Sequence, residues 1–384
     1  MARPALREML RQLIATPSVS SVSPEFDSGN RAVVDLLANW LADSGFTVEV
    51  QVLAHHPQKA NLVATLGSGP GGLVLAGHSD TVPCNPELWR ADPLDLTERD
   101  GALHGLGVSD MKSFFAFAIE AATRIDPRRL REPLVIVATA DEESTMAGAR
   151  ALALAKRVPG RWAILGEPTG ARPVHRHKGI FMDAVRVLGQ AGHSSDPALG
   201  VNAIEVMHRV IAELLVLRAE LVERHRDPGF AVPYPTLNLG RVFGGDNPNR
   251  ICPSCELHYD CRLLPGMDVH AVREHLHSRL ARAVRGTGAA IVFEALLEGL
   301  PALEALPGSA LVEAAEGLLG ARAEAVAFAT EAPYLRSLGI ETVIAGPGDI
   351  AVAHQPDESL ALARIEPFLG FLERMIERCC YRAA

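Results

Sequence analysis

Leu73-Val74-Leu75-Ala76-Gly77-His78-Ser79-Asp80 is the stretch on which the reading of this chain turns. A short apolar run without alternation stops abruptly at a histidine and an acid. Such a run is the pattern of a strand buried on both faces, as in a parallel sheet covered by helices. Further on, Ser109-Asp110-Met111-Lys112 sets another acid where a helical pattern begins. Apolar strands that end in His and Asp place a metal site at the edge of a sheet.

The same ending recurs along the chain. Leu134-Val-Ile-Val-Ala-Thr-Ala140 runs into Asp141, Glu142 and Glu143, and Trp162-Ala-Ile-Leu-Gly166 into Glu167. Thr342-Val-Ile-Ala-Gly-Pro-Gly348 is followed by His354. Buried strands are therefore expected at 73–76, 134–139, 162–165 and 342–345, with further strands at 46–53 and 61–66. Helical periodicity covers 31–44, with Asn30 as N-cap and Gly45 as stop, and also 111–125 and 145–156. Strands alternating with helices imply an α/β fold, a mostly parallel sheet flanked by helices. Ligands of open α/β sheets gather beyond the carboxyl ends of the strands, so these polar residues converge on one rim.

The middle of the chain changes character. Strand patterns at 179–189, 235–242, 251–263 and 289–297 enclose helical patterns at 201–222 and 268–284. The order strand, helix, strand, strand, helix, strand is that of a ferredoxin-like α+β unit. An inserted domain is thus expected at 179–297, within a catalytic domain made of 1–178 and 298–384.

Composition narrows the function. A chain of 384 residues exceeds one ordinary core, and 48% hydrophobic with 22% charged residues is globular. Thirty-seven basic against 46 acidic residues give a net charge of −9 without a basic block, which argues against nucleic acid or an anionic membrane as partner. No apolar run reaches the ~20 residues of a membrane span. The N-terminal stretch mixes charges into its apolar positions and reads as an amphipathic helix rather than a secretory signal, which points to the cytoplasm. The six cysteines agree. Cys252 and Cys255 form a C-x-x-C without a second pair at zinc-ribbon spacing, and Cys261 does not supply one, so all three read as packing residues. Cys379 and Cys380 read the same way.

The rim chemistry follows from residue types. His, Asp and Glu without thiolate suit Zn²⁺, Co²⁺ or Mn²⁺. His78, Asp110, Glu167, His354 and one of Glu142 and Glu143 exceed what one tetrahedral ion with an open position uses, and fit two ions about 3.5–4 Å apart. Asp80, two residues beyond His78, is placed to accept from the other ring nitrogen of that histidine. Glu142 and Glu143 are adjacent and cannot both enter one coordination sphere equally; one can ligate while the other serves as general base. Each has a plainer reading. Asp110 at a helix start is more often an N-cap, Glu142 and Glu143 suit a solvated helix start, and His354 could be any loop histidine. His55, His56, His104, His175 and His258 receive no role.

Taken together, the motifs resemble those of the dinuclear metallo-aminoacylase and exopeptidase family. The carriers are Gly77-His78-Ser-Asp80-Thr-Val-Pro83, Ser109-Asp110-Met-Lys112, Asp141-Glu142-Glu143, Gly166-Glu167-Pro168 and the late His354. The likeness narrows to the acetylornithine deacetylase branch through His177-Lys-Gly179, Gly192-His193-Ser-Ser-Asp-Pro197, Val232-Pro-Tyr-Pro-Thr-Leu-Asn-Leu-Gly240, Asn249-Arg250-Ile251, Thr330-Glu331-Ala-Pro333 and His354-Gln-Pro-Asp-Glu358. It runs from about residue 10 to the C-terminus. Ser113 departs from it, since the family commonly has Gly there.

The resemblance implies roles. Asp110 bridges two divalent ions, Zn²⁺ or Co²⁺, with His78 and Glu167 on one and Glu143 and His354 on the other. Glu142 is the general base and Asp80 the partner of His78. His193 stabilises the oxyanion across the interface of a homodimer formed by the inserted lid domain. Asn249, Arg262 and Thr330 hold the substrate, and Glu331 meets its side-chain ammonium. The implied reaction is hydrolysis of the N-acetyl amide of N²-acetyl-L-ornithine to acetate and L-ornithine. Alternatives are a related amidohydrolase acting on acetylcitrulline, other N-acyl amino acids or small dipeptides, a metal-dependent binding protein without catalysis, and a di-metal phosphoesterase, which lacks a clustered Arg/Lys clamp here.

Overall fold

The structure is a computed structural model that describes residues 3–54 and 56–381; His55 lies outside the described residues. By contacts the chain divides into two compact units. One comprises the chain up to His175 with Ala305–Glu324 and the stretch from Thr330 onward; the other comprises Arg176–Glu304 and Ala325–Ala329.

In the first unit, α1 (Leu6–Ala15) and α2 (Arg31–Asp43) precede an antiparallel pair, β1 (Thr47–Leu53) and β2 (His56–Leu66). Next come β3 (Leu73–His78), the short strands β4 (Thr97–Arg99) and β5 (Ala102–His104), and α3 (Lys112–Arg124). After them come β6 (Leu134–Thr139), α4 (Ala147–Ala155), β7 (Trp162–Leu165) and β8 (Val174–His177). The second unit holds β9 (Gly179–Leu188), α5 (Ala203–Arg224), β10 (Thr236–Gly244), β11 (Ser254–Leu263), α6 (Val269–Val284), β12 (Ala290–Leu300) and β13 (Leu303–Glu304). The chain then continues through α7 (Ala310–Leu319), β14 (Glu324–Val326), α8 (Ala332–Ser337), β15 (Glu341–Ile344), β16 (Ser359–Ala361) and α9 (Ile365–Cys380).

The main sheet runs β1-β2-β6-β3-β7-β15. β3 is parallel to both β6 and β7, and β15 is parallel to β7, whereas β2 is antiparallel to β6. Every residue of β3 and β6 is buried, as the unalternating apolar runs predict for strands covered on both faces. α3 and α9 pack over β3, and α8 packs against β15. Two glycines at strand ends make the α3 approach possible. A Cβ on Gly77 would collide with Met111, and one on Gly166 with the Phe114 ring. The start of α3, and Asp110 before it, therefore lies directly against the ends of β3 and β7.

Asn30 does not cap α2: its side chain makes no cap hydrogen bond. It is buried and instead donates to Ala60 O at 2.8 Å and Ser79 Oγ at 2.7 Å, and accepts from Ala60 N at 2.9 Å. With strand groups needing partners in a dry interior, the amide bridges β2 and the end of β3 rather than the half-exposed helix start.

The second unit has strand order β10-β11-β9-β12, all antiparallel, which is the ferredoxin-like order. Its core is formed by α5 and α6 against the sheet, with Cys252, Cys255 and Cys261 buried in it. Cys252 precedes β11 instead of lying on it. Cys379 and Cys380 are buried at the end of α9. All six thiols are free. Among the described residues no helix is long and apolar enough to cross a membrane.

Candidate metal centre

The carboxyl ends of β3, β6 and β7, Asp110 just ahead of α3, and the loop after β15 bring their polar side chains together. Three sets of donors lie within 4.8 Å of one another: His78, Asp110 and Glu167; Asp110, Glu143 and His354; and His78, Glu142 and Glu143. Asp110 belongs to the first two. Its Oδ1 is 3.1 Å from His78 Nε2, and its Oδ2 is 3.4 Å from His354 Nε2. His354 Nε2 is also 2.9 Å from Glu143 Oε1. The carboxylate thus faces two groups of donors, one oxygen to each. It does not cap α3, whose start has no side-chain cap.

Local chemistry builds this arrangement. His354 stands at φ 60°, a left-handed conformation, with its ring against Asp110 and Glu143. Asp141 also has a positive φ, 63°, and its carbonyl accepts the N–H groups of Ser144, Thr145 and Met146. That tight turn presents Glu142 and Glu143 before α4 begins at Ala147, so they are not solvated acids of a helix start. Asp80 is buried, and its Oδ2 accepts the Glu143 N–H at 3.1 Å. The expectation that the Asp80 carboxylate meets His78 Nδ1 needs correction. That nitrogen lies 3.1 Å from the Asp80 carbonyl oxygen and 3.8 Å from its carboxylate. The Glu143 amide draws the carboxylate away, and the backbone carbonyl fixes the imidazole in its place.

Electrostatics test whether metal ions suit the cluster. Glu142 and Glu167 have pKa values raised well above the usual carboxylate range, by burial first and then by neighbouring acids. Burial also lifts Asp80, to about 7. Asp110 goes the other way: burial would raise it, but hydrogen bonds to His354 and His78 hold it low. His354 is raised to about 10 by its hydrogen bonds to Asp110 and Glu143. Asp80 Oδ1 and Glu167 Oε1 are buried without a hydrogen-bond partner among the described residues. Crowded acids with unsatisfied oxygens beside two imidazoles, and no thiolate, are a donor set suited to divalent cations of borderline hardness. The residues fit the group.

Glu331 is buried at the start of α8, where its Oε2 accepts from Thr139 Oγ1 at 2.7 Å, and its charge bears on Glu142 and Glu167. Thr330 is buried, and its hydroxyl accepts the Ala332 N–H at 3.2 Å. His193, Asn249 and Arg262 belong to the second unit. His193 is exposed, and its Nδ1 accepts the Ser195 N–H at 3.2 Å. The Asn249 carbonyl accepts the Ser194 N–H at 3.1 Å, which holds Asn249 beside that loop. Arg262 lies on β11, with Nε 3.1 Å from Asp260. Ser113, buried in α3, donates its hydroxyl to Val108 O at 2.6 Å, so the extra polar group is satisfied.

Some residues of consequence escaped sequence reasoning. The buried Glu358 carboxylate accepts N–H groups of Gly107, Ser109 and Asp110 at 3.1, 2.7 and 2.9 Å. Its signal was present at the end of the His354–Glu358 motif, but nothing local indicates what that acid holds. Lys59 and Asn61 on β2 brace the turn that carries Glu142, and no motif marked them.

Residues 74–378 match the model of peptidase family M20/M25/M40. The chain belongs to the M20 family. Within that family it is 48% identical to the acetylornithine deacetylase of Proteus mirabilis over 377 residues, covering 98% of this chain and 97% of the relative. It is 45% identical to the acetylornithine deacetylase of Pasteurella multocida, with 98% of each chain covered. The M20 metallo-carboxypeptidase Sso-CP2 of Sulfolobus solfataricus superposes with a TM-score of 0.77 at 17% identity, covering 97% of this chain and 99% of that one. That likeness speaks for the M20 fold alone.

Proposed function

We propose that this M20 protein is a metal-dependent amidohydrolase that cleaves the N-acetyl amide of N²-acetyl-L-ornithine to acetate and L-ornithine, a step of arginine biosynthesis. The observation that carries the reading is the identity of 45–48% to acetylornithine deacetylases over nearly the whole of both chains.

His78, Asp110 and Glu167 would hold one divalent ion, and Asp110, Glu143 and His354 the other, with Zn²⁺ the first choice and Co²⁺ the second. Bound there, the ions supply Lewis-acid polarisation of the acetyl carbonyl and acidify a water at neutral pH. Glu142 takes the proton of the attacking water and returns it to the leaving amine. His193 donates to the oxyanion of the tetrahedral intermediate. In support, its Nδ1 is engaged by Ser195, 2.7 Å from Oγ and 3.2 Å from the backbone N, which leaves Nε2 to face a ligand. Asp80 orients His78 through its backbone carbonyl. Asn249, Arg262 and Thr330 bind the substrate's carboxylate and backbone, and Glu331 its side-chain ammonium.

Residues 179–297 form the lid and dimerisation domain in this reading, and 1–178 with 298–384 the catalytic domain. The homodimer is supported by exposed Leu199, Ile204, Val242 and Phe243 in the second unit. Six free thiols support a reducing cytoplasm.

Assaying N²-acetyl-L-ornithine, N-acetyl-L-citrulline and neutral N-acetyl amino acids, with metal analysis of the same sample, tests the reading. The highest kcat/KM is expected for acetylornithine with two ions per chain. Equal kcat/KM for acetylcitrulline would remove Glu331 from its role, and turnover of dipeptides alone would overturn the deacetylase assignment.

A further inference from the structure

Behind the turn that presents Glu142 lies a buried ion cluster that the proposed chemistry does not use. Lys59 Nζ, on β2, is 2.7 Å from Asp141 Oδ1 and 2.8 Å from Asp27 Oδ2, and the lysine side chain is 8% exposed. Ser20 Oγ donates to the same Asp141 oxygen at 2.8 Å and lies 2.6 Å from Ser144 Oγ. Two positions along the strand, Asn61 accepts the Ala140 N–H at 3.1 Å and donates to Gly148 O at 2.9 Å. Residues two apart on a strand share a face, so Lys59 and Asn61 grip both ends of the 140–148 turn from one side.

The charge accounting in this cluster makes Lys59 the decisive member. Two carboxylates meet one ammonium, and removing it leaves the buried Asp141 facing the partly exposed Asp27 without a counter-charge. Asp141 sits in the left-handed region immediately before Glu142. An aspartate enters that conformation more readily than most side chains, and here its surroundings hold it there. The side chain of Asp141 is fastened by Lys59 and Ser20, while its carbonyl closes the turn on Ser144, Thr145 and Met146. If Asp141 moves, the Glu142 carboxylate moves with it.

We infer that Lys59 is a positioning residue for Glu142, acting through Asp141 to fix the direction of the general base. The inference rests on the role of Glu142 proposed above. The Lys59 ammonium pairs with Asp27 and Asp141, so it acts on the turn of the proposed base through Asp141.

The surroundings provide a direct test. Lys59 and Asp141 line a cavity of about 770 Å³, together with Asp27, Ser144 and Leu154. Lys59→Ala removes a propylammonium group beside that open space. With wild-type metal loading, Lys59→Ala is expected to lower kcat on the order of 100-fold, the scale of an ångström-level misplacement. KM and bound metal stay unchanged. Added n-propylammonium should restore part of kcat, whereas tetramethylammonium, of equal charge but without N–H donors, should not. A wild-type kcat in Lys59→Ala overturns the inference, as does a fall in kcat that tracks loss of metal or is relieved equally by both amines. Should Lys59→Ala not fold, Lys59→Gln reads the same split, and unchanged kcat there is equally fatal. Glu142→Ala, run alongside, separates the two claims: full activity in that variant removes the base itself, whereas an inactive Glu142→Ala beside an active Lys59→Ala removes only the role of Lys59.

Discussion

The carboxylate of Glu358 accepts the backbone N–H of Asp110 at 2.9 Å. The same oxygen takes the Ser109 N–H, and the other oxygen takes that of Gly107. One buried side chain thus fixes the backbone of the residue proposed to bridge both ions. It lies on the same turn as His354, the proposed ligand that Asp110 also faces. Glu358→Gln keeps one acceptor oxygen but turns an N–H₂ toward a backbone donor that needs the other. Partners behind metal ligands typically contribute 10–100-fold in affinity, so Glu358→Gln should lower metal affinity by about that factor. Titration of metal-free protein against a competing chelator measures it, and wild-type affinity would refute the anchoring role.

Glu142 is the acid with no part in either ligand set that contains Asp110. Glu142→Ala should therefore reduce kcat on the order of 10² to 10⁴-fold, the range of general acid–base catalysis, with two ions still bound. Metal analysis beside steady-state kinetics decides it. Loss of an ion would make Glu142 a ligand and move the base elsewhere.

His193 belongs to the second unit, and its proposed donation is to charge that develops during reaction. His193→Ala should lower kcat by more than it raises KM, because a donor to the oxyanion acts chiefly in the transition state. A changed KM at constant kcat would assign it to ground-state binding.

His177 ties stability to pH. Its ring is fully buried, and burial pulls its pKa from 6.5 down to about 4. Above pH ~6.5 the ring is neutral in both folded and unfolded chains. Below that value the unfolded chain binds a proton that the folded chain refuses, so stability falls with pH until the folded ring also titrates. Across that window the loss is about 3 kcal/mol. In His177→Asn, whose amide can still donate to the Lys178 carbonyl, the fall in denaturation midpoint between pH 7 and pH 5 should shrink. An unaltered pH dependence would mean that other groups set it.

The parallel core of the sheet was legible because β3, β6, β7 and β15 are continuous apolar runs, and a run without alternation has few places to lie except between two helical layers. The ferredoxin-like unit was legible from element order alone. Asp110, Glu143, Glu167, His78 and His354 stand out in the sequence because each follows a buried strand or precedes a helix, where the chain itself delivers side chains to the rim. What the sequence by itself determined, then, is which elements form, in what order, and which polar residues stand at their ends.

Tertiary structure alone decided which atoms meet. Asn30 looked like a cap and is a bridge between strands; Asp80 looked like a carboxylate partner for His78 and offers its carbonyl instead. Glu358 reaches Asp110 across 248 positions, and Lys59 reaches the Glu142 turn from another strand. A buried charge or amide takes whatever partner the packed interior places within about 3 Å, and sequence proximity does not set that distance. The motif residues are therefore readable one by one, whereas the side chains that aim them become visible only when the sheet is assembled.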